Sequence, residues 1–181
     1  MVTVYSYSID SHIPPRQRLI QSASRFLGAA SADKPWDIIE NERGKPRFAQ
    51  YPQLHFSVTH SGAYWLCALA QCETGLDLQK HEKTKRSDIS RRFFHLNEDA
   101  FLKKNGYRDF FDVWSAKESY VKFTGQGIDD SFSEFSVVSG SGIAECVNGA
   151  ALQKLSFQPG YSLFLCTKEP VAVSFVFAQQ S

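Results

Sequence analysis

Leu54-His-Phe-Ser-Val-Thr-His-Ser-Gly62, Tyr64-Trp-Leu-Cys-Ala-Leu-Ala70 and Gly75-Leu-Asp-Leu-Gln79 follow one another in the middle of the chain. In the first, Leu54, Phe56 and Val58 alternate with His55, Ser57 and Thr59, the two-residue period of a half-buried strand. His60-Ser61-Gly62 is expected to break that strand. The second stretch is a near-continuous apolar strand, and Gln71 to Thr74 reads as a polar turn. In the third, Leu76 and Leu78 face one side, so Asp77 and Gln79 share the other. The spacing predicts a hairpin between the second and third strands.

Upstream, Met1-Val-Thr-Val-Tyr-Ser-Tyr7 alternates like a strand. Pro14-Pro15 should end it and start a helix through Arg16 to Leu27, stopped by Gly28. Gly44-Lys-Pro-Arg-Phe48 reads as a turn entering an extended segment. Downstream, the basic stretch Lys80 to Arg86 leads into an amphipathic helix near Asp88 to Phe94. A further helix should start at Asn97 as N-cap and end near Gly106. Asp109 to Phe123 is the most strongly helical segment, stopped by Gly125 and Gly127. Short alternating segments follow, separated by Gly140-Ser-Gly142, Asn148-Gly149 and Pro159-Gly160, and strands Tyr161 to Cys166 and Val171 to Phe177 close the chain. Helices plus antiparallel strands in each half argue for an α+β fold. No low-complexity linker or clear repeat separates the halves. Two lobes, residues 1–72 and 73–181, are therefore expected to pack as one unit.

A length of 181 residues suffices for a core without staples, and 43% hydrophobic with 22% charged residues is ordinary for a globular protein. A net charge of +1 gives no global field toward nucleic acid or membrane, so an anion site must be local. Cys67, Cys72, Cys146 and Cys166 form no CxxC pair and no zinc-like spacing, and read as reduced thiols. The N-terminus lacks a basic region followed by an apolar stretch, so no signal peptide is expected. The longest apolar run, Tyr64 to Ala70, is too short to span a bilayer. A cytoplasmic monomer is the expectation.

Several charged residues do not fit a packing pattern. Phe111, Trp114, Glu118, Val121 and Gly125 share a helix face, which puts the Glu118 carboxylate on an apolar stripe. Lys122 lies four residues on, in the order that suits an ion pair. Asp77 and Gln79, at i and i+2 on a strand, can both reach one hard cation such as magnesium. Taken separately, these also fit a surface ion pair and a solvated sheet face. His60 stands beside Ser61-Gly62, whose backbone amides suit a phosphate.

Read in order, His55-Phe-Ser-Val-Thr-His-Ser-Gly62, Gly75-Leu-Asp-Leu78 and Trp114-Ser-Ala-Lys-Glu-Ser-Tyr-Val-Lys-Phe-Thr-Gly125 resemble the three signature blocks of 4′-phosphopantetheinyl transferases. The Trp-Ser-x-Lys-Glu-Ser form, with Gly44-Lys-Pro46 upstream, resembles the surfactin-synthetase-activating type. The resemblance covers roughly residues 16–138 and implies a pseudo-dimer of two similar α+β lobes with coenzyme A in the cleft between them. It also implies that Asp77 and Glu118 hold magnesium on the pyrophosphate, with Gln79 beside them, and that Lys122 contacts phosphate oxygens. Thr59 and His60 would hold phosphates of coenzyme A, and Lys45 and Pro46 would line the nucleotide pocket. Lys117, with Arg16 or Arg18, would supply further contacts. The family usually has glutamate where this chain has Gln79; an amide oxygen or a water can fill a magnesium position there. The implied reaction transfers phosphopantetheine from coenzyme A to a serine of an apo acyl or peptidyl carrier protein, with Glu118 as base and Lys122 stabilising charge. A degenerate relative that binds carrier or coenzyme A without turnover is the alternative reading.

Overall fold

The computed structural model describes residues 1–28, 35–126, 130–140 and 142–178. Gly127, one of the two expected helix stops, and Ser141 lie outside the described residues. The fold is α+β, built on two four-stranded sheets. The first sheet has the order β12 (Val173–Phe177), β1 (Val2–Ser8), β5 (Tyr64–Ala70), β4 (His55–Ser61). The second has the order β6 (Thr74–Lys80), β11 (Tyr161–Thr167), β10 (Ala150–Lys154), β9 (Cys146–Val147). Short ribbons β2 (Ile38–Glu40) with β3 (Pro46–Phe48), and β7 (Val138–Ser139) with β8 (Gly142–Ile143), complete the strands.

The sheets stack face to face, and the alternation within each strand shows how. Val2 and Val4 of β1, and Leu66, Ala68 and Ala70 of β5, meet Leu76, Leu78, Leu163 and Leu165 of the second sheet. The intervening residues Tyr5, Tyr7, Trp65, Cys67 and Leu69 pack on the other side against Leu19 and Ala23 of helix α1 (Pro15–Leu27) and Phe48 of β3. β5 is apolar throughout because both of its faces are covered. On the outer face of the second sheet, Phe164 and Cys166 pack against helix α4 (Phe110–Thr124), together with Leu102 of helix α3 (Leu96–Lys104). Helix α2 (Arg86–Phe93) leads into α3.

The expected hairpin between Tyr64–Ala70 and Gly75–Gln79 does not form. β5 pairs with β1 and β4, whereas β6 pairs with β11 in the other sheet. Both edges of β5 are taken, so the polar turn after Ala70 carries the chain from one sheet to the next. The hairpin partner of β5 is β4, which runs through His60 to Ser61 instead of breaking there. The turn falls at Gly62, whose φ of 55° suits glycine. The N-cap of α3 is His95 rather than Asn97: His95 Nδ1 accepts from the Asn97 amide at 3.1 Å, and Glu98 Oε2 accepts from the His95 amide at 2.9 Å. The closing strand β12 returns to pair in parallel with β1 and so crosses the expected 72/73 division.

Helix α4 lies on β6 at very close range. A Cβ at Gly75 would collide with the Ser119 carbonyl oxygen and the Phe123 amide nitrogen, both backbone atoms of α4. Asp112, in the first turn of α4, accepts from Ser162 Oγ and Lys154 Nζ, each at 2.6 Å, and ties that end to β10 and β11. At the other end Gly125 closes the helix in the left-handed conformation, its amide donating to the Val121 carbonyl. Gly75→Ala should therefore destabilise the protein by about 2 kcal/mol or more in urea unfolding, because neither backbone can yield. Gly142→Ala, with nothing within 4 Å of the added methyl, should shift stability by less than about 0.5 kcal/mol.

Candidate active site

β6 and α4 together place three charged side chains at one point. Asp77, on the face of β6 opposite Leu76 and Leu78, is only 2% exposed. Its Oδ1 accepts from Lys122 Nζ at 2.8 Å and from Thr59 Oγ1 at 3.2 Å. Its Oδ2 has a long contact of 3.4 Å from Gln79 Nε2. Lys122 also donates to the Leu76 carbonyl at 3.2 Å, and its side chain keeps 30% exposure. Ser115 Oγ donates to the Asp77 carbonyl at 2.7 Å, fixing the strand on the helix.

Glu118 lies one helical turn before Lys122 and is 6% exposed. Among the described residues, no hydrogen bond or ion pair reaches its carboxylate. Burial pushes its carboxyl up to about 7, the negative charge of Asp77 adds to the rise, and Lys122 opposes it. Asp77 is also raised by burial, against the charge and hydrogen bond of Lys122 and the pull of Ser115 and Gln79. Two buried carboxylates that repel each other and share one lysine are underneutralised, and a divalent cation would relieve both. Asp77 and Glu118, with the Gln79 amide on the same strand face, therefore fit magnesium by donor chemistry. Among the described residues no group of three or more His, Cys, Asp or Glu side chains gathers at one point, so any metal held here must complete its shell with water and substrate oxygens.

Glu118 and Lys122 open onto a cleft of about 350 Å³ lined also by Arg43, Gly44, Lys45, Pro46, Val58 and Gly125. Lys45 and Pro46 are both in that lining. The Lys45 ammonium is anchored, however, to Glu73 at 2.6 Å and to the carbonyls of Thr74 and Phe123 at 3.1 Å. Arg43 was not anticipated. It precedes Gly44-Lys-Pro46 directly, and that position in the turn was the available signal. Arg43, Lys45 and Lys122 give a nearly neutral chain the local positive charge an anion needs.

Five residues expected to contact coenzyme A, Lys117, Arg18, Arg16, Thr59 and His60, are not among those lining this cleft. Lys117 does not face the cleft: its side chain is 0% exposed and pairs with Glu98 at 3.0 Å. It also donates to the Phe135 carbonyl at 2.7 Å and lies 3.9 Å from the Phe135 ring centroid. Arg18 is 3% exposed and binds the carbonyls of Ile9, Ser11 and Ile13, so it secures the turn between β1 and α1. Arg16 reaches the Trp36 carbonyl at 3.0 Å from the outer side of α1. Thr59 is 4% exposed and turned into the boundary with β6. His60 is exposed on the strand face of Val58 and is not among the residues lining the cleft. Trp114 does not accompany Glu118; its indole packs with Phe94, Phe110 and Phe132.

Residues 73–175, which carry Asp77, Glu118 and Lys122, match the family model of the 4′-phosphopantetheinyl transferase superfamily. The chain is 32% identical over 154 residues to the 4′-phosphopantetheinyl transferase psf-1 of Bacillus pumilus, an alignment covering 77% of this chain and 64% of that protein. It is 32% identical over 139 residues to the 4′-phosphopantetheinyl transferase Sfp of Bacillus subtilis, covering 71% of this chain and 62% of that protein. Against the 4′-phosphopantetheinyl transferase HetI of a Nostoc species it is 33% identical over 113 residues, covering 57% and 46%. The chain thus spans somewhat under two thirds of the length of the first two relatives and under half of the third. With β6 and α4 both inside the matched region, the chain belongs to the 4′-phosphopantetheinyl transferase superfamily.

Proposed function

We propose that the chain transfers 4′-phosphopantetheine from coenzyme A to a serine of an apo acyl or peptidyl carrier protein. The observation that carries this reading is the meeting of Asp77 and Glu118, buried and underneutralised, with Lys122 at the wall of a positively lined cleft. The pyrophosphate of coenzyme A would lie over Lys122, with the nucleotide toward Arg43, Lys45 and Pro46. Bound between Asp77 and Glu118, with Gln79 beside it, magnesium would neutralise pyrophosphate oxygens. The carrier serine oxygen forms a bond to the β-phosphorus of coenzyme A, and the bond from that phosphorus to the oxygen bridging to the α-phosphate breaks. Adenosine 3′,5′-bisphosphate leaves, and the ammonium of Lys122 stabilises the charge on it. The serine proton goes to Glu118, directly or through a water. The proposed setting is a monomer in a reducing cytoplasm, in keeping with four free thiols.

The carrier is proposed to arrive at the basic segment that follows β6. Lys83 and Lys85 are exposed there, whereas Arg86 is committed to the fold: it donates to the Tyr107 carbonyl at 3.2 Å and stacks over Phe111.

Three expected outcomes test this reading. Asp77→Ala and Glu118→Ala should each lower transfer about 100-fold or more while circular dichroism stays native. Transfer is read as the mass gained by a panel of apo-carriers incubated with coenzyme A and magnesium; no gain on any carrier with the unaltered chain would overturn the assignment. Second, cation binding must displace the proton that Glu118 retains below about 7. Magnesium affinity, by calorimetry, should therefore tighten up to about tenfold per pH unit from pH 5 to 7 and level off above. Glu118→Gln should flatten that slope. In the metal-free protein the sign reverses: the raised carboxyl binds its proton better folded than unfolded, so its contribution to stability is lost as pH climbs from about 4.5 to about 7. Third, Lys83→Glu with Lys85→Glu should raise the carrier KM about tenfold at low salt, an effect that salt screens, and leave the coenzyme A KM unchanged.

A further inference from the structure

Along β4 and β6 the two stacked sheets are joined without a backbone ladder. Instead, amides of β6 donate to side-chain hydroxyls of β4: Leu76 to Ser57 at 2.9 Å, Leu78 to Thr59 at 3.1 Å and Lys80 to Ser61 at 2.9 Å. The hydroxyls occupy i, i+2 and i+4 on one strand face, and the amides occupy i, i+2 and i+4 on the other. A hydroxyl that accepts from an amide still has its own hydrogen to give. At the middle rung that hydrogen goes to Asp77, whose Oδ1 lies 3.2 Å from Thr59 Oγ1.

We propose that Thr59 is a positioning residue: its hydroxyl holds one oxygen of Asp77 so that the other is presented to a divalent cation. The proposal rests on the reading that Asp77 binds that cation. Oδ1 is already engaged by Thr59 and Lys122, leaving Oδ2, which among the described residues has only the 3.4 Å contact from Gln79, to face a metal. Outer hydrogen-bond partners of this kind fix the orientation of a ligating carboxylate, and their loss weakens metal binding about 10- to 100-fold. The hydroxyl also accepts from Leu78, so the carboxylate is set by the same hydroxyl that joins the sheets.

The test uses Mn²⁺ as probe, its binding followed by loss of the free-ion electron paramagnetic resonance signal. Thr59→Val keeps the shape and deletes the hydroxyl, and should weaken Mn²⁺ about tenfold. Thr59→Ser restores the hydroxyl and should bring affinity to within about twofold of the unaltered chain. Ser61→Ala removes a neighbouring rung that does not touch Asp77, and should lower the melting temperature without changing Mn²⁺ affinity. Should Thr59→Val not fold, Thr59→Ala takes its place. Asp77→Ala is the reference: if it binds Mn²⁺ as the unaltered chain does, the metal reading itself is wrong. If Asp77→Ala loses binding while the Thr59 variants keep it, or Ser61→Ala weakens it as much as Thr59→Val, then Thr59 does not position the carboxylate.

Discussion

The backbone of β6 touches the backbone of α4 at Gly75, with no side chain between them. Everything at the site is dimensioned by that contact. Two residues along the strand, Asp77 comes within 2.8 Å of the Lys122 ammonium. Its carbonyl is caught by Ser115, about one turn before Glu118 on the helix. A strand rises about 3.3 Å per residue and a helix about 1.5 Å, so only a crossing fixed at one point keeps Asp77, Glu118 and Lys122 together. Because the helix surface at that point is backbone, a larger residue than glycine would push the strand away and separate the carboxylates.

Two lysines on α4, five residues apart, show opposite solutions to the same burial problem. Lys117 is fully enclosed, and its charge is met by Glu98, by a carbonyl and by the rings of Phe132 and Phe135. Glu98 in turn accepts from the Val137 amide and from His95, so the pair welds α3, α4 and the segment before β7 into one body. Lys122 has one carboxylate, one carbonyl and an open side. Glu118 has no donor at all among the described residues. Electrostatic demand is thus satisfied behind the helix and left unsatisfied in front of it, where a charged ligand can enter. Stability is forgone on that side, as is usual where charges are held ready for a substrate.

Much of this was legible in the residues. Period-two alternation marked β4 and β6 and placed Asp77 and Gln79 on one face; period 3.6 marked α4 and set Glu118 one turn from Lys122. Those are local facts, because neighbouring side chains on one element are related by its geometry alone. The clearest local signal was Glu118, a carboxylate among apolar residues of one helix, since burial without a partner is costly wherever the chain folds.

Which edges pair, and which lysine is buried, was decided only in three dimensions. Gly75-Leu-Asp-Leu-Gln79 reads as the hairpin partner of β5, but it pairs with β11 because β1 and β4 already occupy both edges of β5. Lys117 sits beside Glu118 in sequence, but successive helical residues point about 100° apart. Its neighbour was Glu98, 19 residues away, and nothing local announces that pair. Thr59, read as a phosphate contact, turned out to face β6 because the two sheets join through hydroxyls. The sequence by itself determined the elements, the family and the two carboxylates, all set by short-range periodicity and motif order. The tertiary structure decided the sheet partners, the positions of Lys117 and Thr59, and the burial that raises the carboxyl of Glu118, because each depends on contacts between residues far apart in the chain.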